Sequence, residues 1–220
     1  MTSTSALLYG ANGYTGRLIL EQLLARGLHP LIAGRKEGEI RPLAQQHGLK
    51  YEVIALEDTE KLIQLVRSVQ LVIHAAGPFI ITARPMVEAC LKAGTHYIDI
   101  TGEIQVFEYL KSLNAQARDK GIMLMPGTGF DVVPTDCLSL YLKKTLPDAQ
   151  HLQLAFASIG STVSHGTATT MAFNLGESGA ARINGIIIPE PIGKHGKWID
   201  FGRKLRFAIS IPWGDISTAY

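Results

Sequence analysis

Residues 7–18 read LLYGANGYTGRL, a short apolar run followed by glycines at 10, 13 and 16. The spacing predicts a buried strand over Ala6–Tyr9, a sharp turn, and a helix from Tyr14 onward. A side chain at the turn or beside a pyrophosphate would block the bend or hold the backbone away from a ligand, so three glycines here suit a dinucleotide-binding loop. The helix that follows offers unpaired N–H groups and the positive end of its dipole to phosphate. Gly10, Asn12, Gly13, Tyr14, Thr15 and Gly16 are therefore candidate cofactor-binding residues. Such a triplet also occurs in plain turns, so its surroundings must decide.

Outward from the loop, RLILEQLLARGLH repeats apolar residues at helical spacing, with Leu18, Leu20, Leu23 and Leu24 on one stripe and Gly27 ending it. PLIAGR then reads as a strand, RPLAQQHG as a helix, YEVIAL as a strand, EKLIQLVRSV as a helix and QLVIHAAG as a fourth strand. The alternation continues through RPMVEACLKAG, HYIDITG, VFEYLKSLNAQARDKG, IMLMPGTG and PTDCLSLYLKKTL. Alternating βα order with nearly continuous apolar strands predicts an α/β fold, a Rossmann-type doubly wound parallel sheet covered on both faces, over residues 1–147. Near Pro147 the pattern changes. HLQLAFAS alternates like a strand, and INGIIIPEPIG and KWIDFGRKLRFAISI look like antiparallel strands joined by turns, so a partial, β-rich α+β second domain is expected over residues 148–220. The chain stops at WGDISTAY, directly after a strand in need of a partner, and this second domain is expected to be incomplete.

Bulk properties exclude several classes. The formal net charge is +2 over 220 residues and the basic residues are scattered, so no nucleic-acid partner is expected. Cys90 and Cys137 stand far apart without metal-ligand spacing around them, which predicts two reduced, buried thiols and no metal. The apolar runs are strand-length and no basic segment precedes a long apolar core, so no membrane span is expected and the protein is placed in the cytoplasm. A small-molecule substrate is the expected partner, and a homodimer is left open.

The tip of the second strand reads AGRKEG. An enzyme preferring NAD would usually present an acid there to the ribose hydroxyls, whereas Arg35 and Lys36 place positive charge where the 2′-phosphate of NADP would sit. Glu37 and Glu39 could meet the ribose hydroxyls instead if the strand ended later. The fourth strand leads into HAAGPF, whose Ala76, Gly77 and Pro78 would let backbone approach a flat ligand. His74, inside the strand, reads as a packed, hydrogen-bonded histidine. Two further segments carry acids: YIDITGE with Asp99 and Glu103, and GFDVVPTD with Asp131 and Asp136. Asp99, Glu103 and Asp131 are the candidate catalytic carboxylates, able to orient substrate or relay a proton, although helix caps and structural pairs use the same residue types. For Asp136 the structural reading is preferred. In the second domain, SHGTATTMAFNL resembles a polar turn leading into a helix, where Ser164, Gly166 and Thr167 could face an anionic or carbonyl-bearing substrate.

Taken in order, GANGYTGRL, AGRK, AAGPF, CLKAGTHYIDITGE, GTGFDVVPTD, SHGTATT and IPWGDISTAY resemble the saccharopine dehydrogenase-like oxidoreductases, most closely the branch that includes trans-acting enoyl reductases. The resemblance implies an NADP-binding Rossmann domain followed by a mixed substrate domain whose sheet faces the nicotinamide. It makes Gly10, Gly13, Gly16, Arg35 and Gly77 cofactor residues and the DITGE and GFD segments cleft walls. It also implies that family members continue well beyond the position of Tyr220. An NADPH-dependent reductase is the resulting expectation, and a non-catalytic NADP sensor is the alternative. A short-chain dehydrogenase is not, because no Tyr here is followed four residues later by Lys.

Overall fold

The central strands of the first half, Ala6–Tyr9, Leu31–Gly34 and Leu71–His74, are short, apolar and almost wholly buried, and a sheet sandwiched between helix layers satisfies that pattern. In the computed structural model, described over residues 6–160 and 178–220, six strands of this half form one parallel sheet. These are β1 (Ala6–Tyr9), β2 (Leu31–Gly34), β3 (Tyr51–Val53), β4 (Leu71–His74), β5 (His96–Asp99) and β6 (Leu124–Met125), in the order β3-β2-β1-β4-β5-β6. The order reverses between β1 and β4, the place where open α/β sheets bind ligands. Between and after the strands run α1 (Tyr14–Ala25), α2 (Glu37–His47), α3 (Thr59–Arg67), α4 (Phe79–Ala93), α5 (Ile104–Ser112), α6 (Asn114–Lys120) and α7 (Val133–Thr145).

The strand period of two divides the core. Leu8, Ile32 and Ile73 point to one face and pack with Leu20 of α1 and Ile40 of α2. Leu7, Tyr9 and Val72 point to the other and pack with Leu62 of α3 and Phe79, Ala83 and Met86 of α4. Register then lines up Ala33, Tyr9, His74 and Asp99 in one row across β2, β1, β4 and β5, close to the carboxyl edge.

After α7 the described chain forms two antiparallel hairpins. One pairs β7 (Gly179–Ile183) with β8 (Ile186–Glu190), the other β9 (Gly196–Asp200) with β10 (Leu205–Ile209), and a short helix α8 (Asp215–Thr218) follows. This segment is tied to the first sheet's helices. Ser217 Oγ donates to Glu108 Oε1 at 2.5 Å, Lys111 Nζ to the Ser217 carbonyl at 3.2 Å, and Thr218 Oγ1 to Asp136 Oδ1 at 2.8 Å. Arg182 of β7 donates to the Ile216 carbonyl at 2.7 Å.

Several expectations are corrected. The helices expected to begin at Arg41 and Arg84 begin at Glu37 and Phe79, because Pro42 and Pro85 sit inside them rather than in a first turn. The single helix expected over VFEYLKSLNAQARDKG breaks at Leu113 into α5 and α6. HLQLAFAS forms no strand; residues 151–158 carry no regular structure, since no neighbouring strand among the described residues offers them a ladder. Cys90 is buried as expected, but Cys137 is exposed, on a face of α7 that also leaves Leu138 and Tyr141 exposed. Leu18 of the α1 stripe is 45% exposed as well. The SHGTATTMAFNL segment, with Ser164, His165, Gly166 and Thr167, lies outside the described residues.

Candidate functional site

β1 runs into the glycine loop at the switch point, and the loop's geometry separates the roles of its glycines. Gly10 adopts φ +87°, and a Cβ there would stand 2.8 Å from Ala76 Cβ and 2.9 Å from the Ala75 carbonyl carbon. The β1 loop and the HAAGPF loop therefore touch, backbone to backbone. Gly16 packs α1 against the turn so closely that a Cβ would lie 2.1 Å from the Gly10 oxygen. At Gly13 the only atom of the described residues within 4 Å of a Cβ is that same oxygen, at 3.3 Å, so among them the rest of its face is open.

Gly13 is the N-cap of α1, and no side chain caps the helix or places an acid in its first turn. The first helical bond runs from Arg17 N to the Gly13 carbonyl at 2.9 Å, which leaves Tyr14 and Thr15 N–H without intrahelical acceptors. An anion fits there. Across the switch point, α4 presents a second N-terminus, and it is already filled: Glu103 accepts from Phe79 N at 3.0 Å and from Ile80 N at 2.5 Å. One of the two helix ends holds a built-in carboxylate, and the other is free to hold a phosphate.

At the tip of β2, Arg35 is exposed and has no hydrogen-bond or ion-pair partner among the described residues. Lys36 instead reaches Glu39 Oε1 at 2.9 Å, while Asn12 Nδ2 donates to Glu39 Oε2 at 2.6 Å. Arg17 Nε donates to the Asn12 carbonyl at 3.2 Å. Asn12, Arg17, Lys36 and Glu39 thus bridge the loops after β1 and β2, a pairing of Glu39 with Asn12 across 27 residues that no local sequence feature marks.

Behind the HAAGPF loop lies a buried polar chain. His74 is fully buried, as expected of a packed histidine, and burial holds its ring down at about 4. Its Nε2 faces the Ala76 carbonyl at 3.2 Å, and an acceptor-only partner places the proton on that nitrogen. Thr82 Oγ1 donates to the same carbonyl at 2.7 Å, so Ala76 is gripped from two sides. His74 Nδ1 lies 3.3 Å from the Tyr97 hydroxyl, which donates to Asp99 Oδ2 at 2.7 Å.

The three candidate carboxylates differ in what they touch. Asp99 is fully buried; its Oδ1 accepts from Thr101 N at 3.0 Å and Gly127 N at 2.8 Å, which fastens the loops after β5 and β6. Burial still raises its pKa above the ordinary value, against those hydrogen bonds. Glu103 is raised for the same first reason while its oxygens serve α4. Asp131 is raised by burial, and its carboxylate has no hydrogen-bond partner among the described residues. It lies against Gly102, where a Cβ would be 2.7 Å from Oδ2. The Asp131 carbonyl accepts Trp213 Nε1 at 2.5 Å, and the Trp213 ring packs at a tilt against Phe156, with ring centroids 4.7 Å apart. Asp136 receives Thr218, the structural pairing expected of it, and stands beside Asp215. Sequence reading missed Trp213 and Asp215, which reach the site only through tertiary docking.

Residues 6–125 match the family profile described as the saccharopine dehydrogenase NADP binding domain, and the cofactor is accordingly NADP. The human saccharopine dehydrogenase-like oxidoreductase is 22% identical over 244 residues, covering 96% of this chain and 57% of that protein. A trans-acting enoyl reductase of Mycobacterium bovis is 33% identical over 143 residues, covering 61% of this chain and 34% of the relative. The chain spans about half the length of the curated relatives it matches. Among solved structures, apo saccharopine dehydrogenase (L-Glu forming) from Saccharomyces cerevisiae superposes with a TM-score of 0.63 at 14% identity, covering 94% of this chain and 49% of that one, a likeness of fold.

Proposed function

We propose, from the premise that this chain belongs to the saccharopine dehydrogenase NADP-binding domain family, that it is the nucleotide-binding part of an NADPH-dependent reductase. The observation that carries the reading is the N-terminus of α1, with no side-chain cap among the described residues, behind an open Gly13 and beside Arg35, which has no partner among the described residues. Residues 1–147 form the NADP-binding domain, and residues 148–220 belong to the substrate domain. Bound NADPH supplies a hydride at the carboxyl edge of the sheet. The chain's own residues do the rest. Tyr14, Thr15 and the Gly13 turn hold the pyrophosphate, Arg35 and Lys36 the 2′-phosphate, and Ala76, Gly77 and Pro78 line the path to the nicotinamide. Asp131 is the carboxyl placed to hold a proton or a hydrogen bond at the substrate, since Asp99 and Glu103 are committed to backbone donors and position the walls.

The relative's name, trans-acting enoyl reductase, supports a polarised carbon–carbon double bond as the group reduced. Among the described residues no helix is long and apolar enough to cross a membrane, and we place the protein in the cytoplasm, acting on a small or acyl-chain substrate without nucleic acid. The same commitment of Asp99 and Glu103 favours a second reading, a protein that binds NADP to regulate a partner. Titration with NADPH followed by addition of an enoyl thioester separates the two. Substrate-dependent loss of nicotinamide absorbance supports the reductase, tight binding without turnover supports the sensor, and no binding of NADPH removes both.

A further inference from the structure

The glycine loop after β1 and the turn after β2 both send a donor toward one point, Asn12 Nδ2 from the first and Lys36 Nζ from the second. The two loops frame the gap in which a dinucleotide's adenosine ribose lies in this fold. Between the two donors sits a carboxylate. Glu39 Oε2 takes Asn12 at 2.6 Å and Glu39 Oε1 takes Lys36 at 2.9 Å, so each oxygen is used. An acid among basic groups at this spot is the reverse of what a 2′-phosphate requires, and Arg35 has no hydrogen-bond or ion-pair partner among the described residues.

We propose that Glu39 is the resident anion of the 2′-phosphate subsite, a specificity-determining residue that NADP must displace from Asn12 and Lys36 before those donors can serve the phosphate. The inference rests on NADP being the cofactor. Displacement needs no covalent step: Glu39 swings toward solvent, with 43% of its side chain already exposed, and the phosphate takes its two donors while Arg35 adds a third contact. NADH, which has a ribose hydroxyl in place of the phosphate, leaves the Glu39 contacts standing. Glu39 thereby lowers the advantage of NADPH over NADH below what Arg35 and Lys36 would give unopposed. Lys36, Asn12 and the field of Arg17 hold its carboxyl below the usual carboxylate range, so it is ionised at neutral pH.

The test is titration of the protein with NADPH, NADH, adenosine 2′,5′-bisphosphate and AMP, in wild type, Glu39→Gln and Glu37→Gln. Glu37 lies in the same helical turn but faces Arg41 at 3.7 Å, and its variant removes one negative charge without touching Asn12 or Lys36. Glu39→Gln should bind NADPH and the bisphosphate about three- to tenfold more tightly, with NADH and AMP unchanged and Glu37→Gln like wild type. Unchanged or weaker NADPH binding by Glu39→Gln overturns the proposal, the weaker case making Glu39 an organiser of the donors. Equal gains for all four ligands, or an equal gain in Glu37→Gln, overturn it as a bulk charge effect. A wild type that binds neither NADPH nor the bisphosphate overturns the NADP assignment itself, and the proposal with it.

Discussion

A Cβ on Gly16 would lie 2.1 Å from the Gly10 carbonyl oxygen, whereas one on Gly13 would meet, among the described residues, only that oxygen, at 3.3 Å. The first glycine serves the fold and the second the ligand, and substitution should tell them apart. Gly16→Ala must push α1 off the turn and is expected to lower stability by about 1–3 kcal/mol, the range for overpacking, measured by denaturant titration. Gly13→Val should keep the wild-type melting profile and lose NADPH, because its methyl groups fill the approach to the helix end. Retained NADPH affinity in folded Gly13→Val would remove the loop from the binding site. Arg35 poses a similar question of one contact. If it grips the 2′-phosphate, Arg35→Ala weakens NADPH by about 1.5–3 kcal/mol, roughly ten- to a hundredfold, and leaves NADH alone. Equal losses for both cofactors would return Arg35 to a role in the fold.

Helix ends are the elements on which the cleft is built. α1 and α4 flank the same switch point, and the difference between them is one side chain, Glu103, which reaches from the loop after β5 to the first N–H groups of α4. That carboxylate ties the HAAGPF loop, held from below by His74 and Thr82, to the wall containing Asp131. Glu103→Ala leaves the part-buried Phe79 N–H without its acceptor and returns the exposed Ile80 N–H to water, and should cost about 1–3 kcal/mol, with NADPH binding weakened through the displaced loop. Glu103→Gln, which keeps one acceptor oxygen, should recover part of both. A variant of wild-type stability would mean that water replaces the carboxylate without loss. The elements themselves were legible in sequence where periodicity was unbroken, as in α1 and the strands of the parallel sheet, though alternation alone misled at HLQLAFAS. Their starts were not legible at Pro42 and Pro85, because proline's preference for a first turn points to the wrong end when packing carries the helix across it.

Across the whole molecule, the buried row through His74 makes stability depend on pH. The folded ring titrates at about 4 against an ordinary value of 6.5, so its contribution is fully present above pH 6.5. As pH falls from 6.5 through 4 the unfolded chain takes a proton that the fold refuses, and about 3 kcal/mol is lost. Asp99, Glu103 and Asp131 act in the opposite sense. Their raised values mean that they hold protons in the fold when the unfolded chain has released them, which favours the fold at low pH and is lost as pH rises through their folded values. The histidine term is therefore read by difference. Denaturation midpoints of wild type and His74→Gln, measured from pH 7 to 4, should converge as pH falls, because only the wild type loses the His74 term. Parallel profiles would mean that His74 titrates alike in both states.

By itself the sequence determined the alternation of strands and helices, the glycine turn at the end of β1 and the basic tip of β2, because each is written in contiguous residues whose chemistry acts locally: a 3.6 or 2.0 period, a missing Cβ, a neighbouring charge. Only the tertiary structure decided which charges remain available. Asp99 and Glu103 look like open acids in DITGE until Gly127, Phe79 and Ile80 arrive from other loops to claim them. Glu39 looks like an ordinary first-turn acid until Asn12 is brought beside it by the parallel pairing of β1 with β2. A hydrogen bond consumes a lone pair only where donor and acceptor meet within about 3 Å, and for partners tens of residues apart that distance is set by the packing of the sheet and its loops.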